Sequence, residues 1–100
     1  MRHNQLVRDN IPDIIREKGG TPVTHVATSE EYGAMLDEKL LEECTEFFES
    51  RNPEELADIL EVVRALATLQ NLTAGELERI RQKKADDRGG FEKHIILEEA

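Results

Sequence analysis

An Asn52-Pro53 step interrupts a helical pattern that otherwise runs from Thr28 to Leu69. Proline has no amide hydrogen, so it is tolerated in the first turn of a helix and disrupts its interior. The step therefore divides the pattern into two helices, and so short a break makes them neighbours in an antiparallel hairpin. Each arm carries an acidic motif: Glu42-Glu43-Cys44-Thr45-Glu46 before the break and Glu55-Leu56-Ala57-Asp58 after it. Carboxylates gathered between two helices repel one another unless a cation sits among them. The pattern therefore points to a Mg²⁺ site with phosphate chemistry to follow.

Other elements follow from caps and breakers. Asn10-Ile11-Pro12 reads as a helix start with Asn10 as N-cap, and Gly19-Gly20 stops that helix. Pro22-Val23-Thr24-His25-Val26-Ala27 reads as a short strand by its β-branched content. Thr28 and Glu31 fit a capping box, with Ser29 as the rival cap. Thr73 and Glu76 repeat the pattern and open a more charged helix that ends at Gly89-Gly90. Ile95-Ile96-Leu97 is β-like, and pairing with 22–27 is one expectation for it. The fold expected is all-α: a bundle of about four helices with short extended N- and C-terminal segments, in a single domain over residues 1–100.

A helix turns about 100° per residue, and on that wheel Tyr32, Leu36, Leu40 and Phe47 fall within about 60° of Glu43. Glu43 thus lies in an apolar stripe. Glu46 sits beside it near Met35 and Lys39, while Glu38, Glu42, Thr45 and Glu49 take the far side. On the second arm, Glu55 and Asp58 share a strip with Val62, Ala65 and Leu69, and Glu54, Glu61, Arg64 and Thr68 form the wet face. A carboxylate on an apolar strip is costly unless it is paired or metal-bound. Antiparallel pairing about Asn52 sets Glu46 level with Asp58 and Glu49 level with Glu55. Read from the residues alone, a metal site and a salt-bridged acidic surface both stay open.

A net charge of −9 argues against nonspecific binding to nucleic acid polymers or anionic membranes. No apolar run approaches membrane-spanning length, and Met1-Arg2-His3-Asn4-Gln5 leads into no secretory hydrophobic region. Cys44 is the only cysteine, which excludes an intrachain disulfide and favours a cytoplasmic location. It lies on a stripe with Leu40 and Phe48 and reads as a structural thiol. His3, His25 and His94 follow no metal spacing. One hundred residues build a modest core, so a homo-oligomer (a dimer or higher) that shares helix faces is expected.

The two acidic motifs on successive helices resemble the E-E-x-x-E and E-x-x-D signature of the MazG-like all-α nucleoside triphosphate pyrophosphohydrolases. The likeness extends to a small house-cleaning branch through Leu6-Val7-Arg8-Asp9-Asn10-Ile11-Pro12-Asp13-Ile14-Ile15, Lys39-Leu40-Leu41-Glu42-Glu43 and Arg88-Gly89-Gly90-Phe91, so it spans nearly the whole chain. One departure is a gap between the motifs shorter than is usual in the wider family.

The resemblance implies a helical core that often dimerises and Mg²⁺ (with Mn²⁺ as an alternative) held by Glu43, Glu46, Glu55 and Asp58. It also implies hydrolysis of a nucleoside triphosphate, canonical or not, to the monophosphate and pyrophosphate. Glu43 or Glu46 would orient or deprotonate the attacking water. Lys39, Arg8, Lys83 and Arg88 are the candidate phosphate contacts. Phosphoribosyl-ATP pyrophosphohydrolase shares the fold and the bond cleaved. A non-catalytic acidic helical interaction module is the competing class, and it gains if the inward carboxylates prove to be paired with Arg or Lys.

Overall fold

The computed structural model describes residues 4–100, so His3 and the start of the chain lie outside the described residues. The described residues form four helices and no strand: α1 (Ile11–Glu17), α2 (Ser29–Ser50), α3 (Pro53–Leu69) and α4 (Ala74–Arg88). None of these helices is long and apolar enough to cross a membrane. The chain divides into two compact units, one running to Leu66 and the other from Ala67 onward.

The helix boundaries follow the local chemistry of the caps. The Thr28 hydroxyl accepts the Glu31 amide at 3.2 Å, so Thr28 rather than Ser29 caps α2. The reciprocal half of the capping box is not made, because the Glu31 carboxylate turns to His25 Nε2 at 3.1 Å. At α4 the Thr73 hydroxyl accepts the Glu76 amide and donates to the Glu76 carboxylate, both at 3.1 Å. Asn10 differs from expectation. Its backbone is already helical and its side chain makes no cap bond; α1 is instead entered through the Ile14 amide, which donates to the Asn10 carbonyl at 3.0 Å.

The hairpin turn is short. Arg51 takes a left-handed conformation (φ 57°), and its amide donates to the Phe47 carbonyl, closing α2. The Asn52 side-chain oxygen then accepts the Glu54 amide at 3.0 Å, and α3 starts at Pro53. Such a side-chain cap satisfies one of the amides that the first turn leaves without a partner.

In the first unit, the buried side chains along the hairpin are Leu36 and Glu43 on α2 and Val62 on α3. Tyr32, Leu40 and Phe47 are half-buried on the same side of α2 as Glu43. Glu54, Glu61, Arg64 and Thr68 are exposed on α3, as the wheel predicts. Three expectations need correction. Leu69 is an exposed large hydrophobic, not part of a covered strip. Phe48 is 64% exposed and Cys44 only half-buried; the Phe48 ring meets the Phe47 ring at 6.2 Å and the Arg51 guanidinium at 5.6 Å. Glu42 does not point away from the protein: it is half-buried and accepts from Gln5 Nε2 at 2.9 Å.

Neither expected strand forms. Residues 22–27 have no regular structure, and neither do 95–97. Val23, Val26 and Ile96 stand almost bare, at 91%, 97% and 82% exposure. β-branched residues favour strands chiefly because they pack on a paired, half-buried surface, and no pairing covers these segments.

Candidate metal centre in the helical hairpin

Glu43 stands at the centre of the site. Leu36 lies two turns before it on α2, so the face that buries leucine buries the carboxylate too. The residue is only 7% exposed. Oε1 lies 3.6 Å from Lys39 Nζ, one turn back, whereas Oε2 is buried with no hydrogen-bond partner. A buried, unpartnered carboxylate oxygen carries a desolvation cost that a bound cation would offset.

The second arm brings two more acids to the same place. Glu43, Glu55 and Asp58 each offer a carboxylate oxygen, and these oxygens all lie within 4.8 Å of one another. Glu55 and Asp58 sit three positions apart in the first turns of α3, so they share a face of that helix. Asp58 Oδ1 accepts from Arg8 Nη2 at 2.7 Å. Glu46 lies outside that group of three but close enough to act on it. Burial pushes the Glu43 carboxyl above its ordinary range, and the neighbouring Glu46 and Asp58 charges push the same way against Lys39. Glu55 is raised too, by desolvation first and then by Glu46 and Asp58. Like charges held together in this manner favour protonation or a dication.

No family model and no solved structure matches the chain. It is similar to an uncharacterized protein of Mycolicibacterium smegmatis. The two are 55% identical over 42 residues, which cover 42% of this chain and 43% of that protein, so the match spans less than half the relative's length.

A cleft of about 580 Å³ opens beside the carboxylates. Leu6, Val7, Ile11 and Ile14 line it from the N-terminal segment and α1; Tyr32, Leu36, Val62 and Ala65 line it from the hairpin. Arg8 and Lys39 are the cations on its wall, next to Glu43, Asp58 and Glu61. The cleft thus joins an apolar wall to a polar one, the combination that small-molecule sites favour. Every residue lining it belongs to the first unit.

The sequence-predicted residues are therefore distributed as follows. Glu43, Glu55 and Asp58 meet, Glu46 borders them, and Lys39 and Arg8 are ion-paired within the site. Lys83 and Arg88 are exposed on α4, in the second unit. Glu49, expected level with Glu55, is exposed and is not one of the three clustered acids. Gln5 reaches Glu42 from an irregular segment, where a lone polar residue carries no periodic signal.

Proposed function

We propose that this protein is a Mg²⁺-dependent nucleoside triphosphate pyrophosphohydrolase of the MazG-like type, cleaving its substrate to the monophosphate and pyrophosphate. One observation carries the reading: Glu43, whose Oε2 is buried without a hydrogen-bond partner, brings a carboxylate oxygen within 4.8 Å of carboxylate oxygens from Glu55 and Asp58. The donor set is all oxygen and anionic, which suits a hard dication. Glu43, Glu46, Glu55 and Asp58 would hold it. Arg8 and Lys39 line the cleft and pair with Asp58 and Glu43.

Bound Mg²⁺ would neutralise the charge that builds on phosphate oxygens. The chain's residues supply the rest. Glu43 takes the proton as the water oxygen bonds to phosphorus and the anhydride bond to the pyrophosphate leaving group breaks. Glu46 beside it is the alternative acceptor. Lys39 reaches the phosphates from one turn away on α2. The apolar wall around Tyr32, Ile11 and Val62 receives the less polar end of the nucleotide and excludes water.

The Arg8–Asp58 and Lys39–Glu43 pairs favour a second reading, a non-catalytic acidic helical module. Incubation with a panel of canonical and damaged nucleotides plus Mg²⁺, with pyrophosphate release as the readout, separates the two. Turnover is expected with at least one nucleotide and is expected to vanish in Asp58→Asn with helicity unchanged. Silence across the panel would leave the module reading. Full activity in Asp58→Asn would remove that residue from the ligand set.

A further inference from the structure

Resting on the metal reading above, we propose that Arg8 is an exchangeable counter-ion: it holds Asp58 while the site lacks a dication, and a dication hands it to the anionic ligand. The observation is a juxtaposition across the fold. Arg8 Nη2 donates to Asp58 Oδ1 at 2.7 Å, bridging fifty positions of sequence. Asp58 is one of the three clustered acids, so the guanidinium already holds a carboxylate that the metal needs. Arg8 comes from a segment without regular structure, residues 4–8, and its side chain is 56% exposed. It can therefore leave Asp58 without unpacking a helix. It lines the same cleft as Lys39 and the apolar wall, so the place it swings toward is the place a ligand enters.

The site is more than a group of acids on a surface. Glu43 is 7% exposed, its Oε2 has no partner, and the residue brings a carboxylate oxygen within 4.8 Å of those of Glu55 and Asp58, so one member of the cluster is built into the interior. Arg8 does not reach that oxygen; it neutralises only the outer edge of the cluster, at Asp58. Guanidinium and dication thus compete for Asp58 and not for Glu43. A planar guanidinium freed from a carboxylate matches a phosphate by the same paired geometry. Metal and polyphosphate would then bind with mutual reinforcement, because each removes a partner from the pair that opposes the other.

The test is calorimetric titration of Mg²⁺, and separately of inorganic pyrophosphate with Mg²⁺ present, into the wild type and Arg8→Gln. Removing the competitor is expected to tighten Mg²⁺ binding about two- to fivefold, the range that partly exposed ion pairs support. The same substitution should weaken pyrophosphate binding. A merely structural pin predicts the opposite for the metal. Unchanged or weaker Mg²⁺ binding by Arg8→Gln, with the wild type binding Mg²⁺ normally, overturns the exchange and leaves the metal reading standing. Absence of Mg²⁺ binding in both proteins overturns both. A second measurement avoids any folding defect of the variant. The Arg8 Nε–H resonance of the wild type should shift as Mg²⁺ is added, at the calorimetric midpoint. A resonance that does not move sinks the proposal.

Discussion

Lys39 Nζ lies 3.6 Å from Glu43 Oε1 and 3.5 Å from Glu42 Oε1, so one ammonium is shared by two carboxylates on the same helix. Lysine preceding glutamate by four residues is the weaker order of such a pair, and here it leaves the second Glu43 oxygen unattended. Lys39 therefore steadies the cluster without neutralising it, and the consequences can be measured.

The metal-free protein should lose stability as pH rises above the ordinary carboxylate value. Glu43 and Glu55 have folded-state values raised above the ordinary 4.5. The native state then holds more protons than the unfolded chain between the ordinary and the raised values, and stability falls with pH across that window. Chemical denaturation at a series of pH values should show this decline. Saturating Mg²⁺ should flatten it, since a dication takes the place of the protons.

Mg²⁺ itself should stabilise the fold. A ligand bound by the native state alone raises stability by mass action. Millimolar MgCl₂ is expected to raise the melting temperature more than NaCl of equal ionic strength. Equal shifts from the two salts would mean screening of the acidic surface and no specific site.

Glu43→Gln should trade activity for stability. The substitution removes a buried charge with an unsatisfied oxygen, so the apo protein should gain on the order of 1 kcal/mol. Pyrophosphate release should fall by roughly 10²- to 10⁴-fold, the usual loss for a general base. Denaturation midpoints and initial rates read the two effects separately. A variant both less stable and fully active would refute the role assigned to this carboxylate.

Thr28→Ala should cost about 1 kcal/mol, the usual value of a lost N-cap. The hydroxyl accepts the Glu31 amide, and no reciprocal bond from the Glu31 side chain remains to compensate. A denaturation midpoint unchanged from wild type would show that α2 is held by packing of its inner face alone.

Much of the architecture is legible in the sequence. Thr28, Pro53, Thr73, Gly19 and Gly89 mark helix ends through interactions that span at most a few residues, so the chain announces them locally. The period of the apolar stripe placed Glu43 beside Leu36, and the break at Asn52 brought α3's acids to the same face, because helix geometry converts spacing into direction. The failures have a common cause. Val23, Val26, Ile95 and Ile96 carry β preference, but a strand exists only when something pairs with it, and pairing is a long-range event. The Arg8–Asp58 bond spans fifty positions and the Gln5–Glu42 bond thirty-seven. No periodicity reaches that far; such contacts arise when an irregular segment settles against a finished hairpin, and the packing of that hairpin chooses which carboxylate it meets.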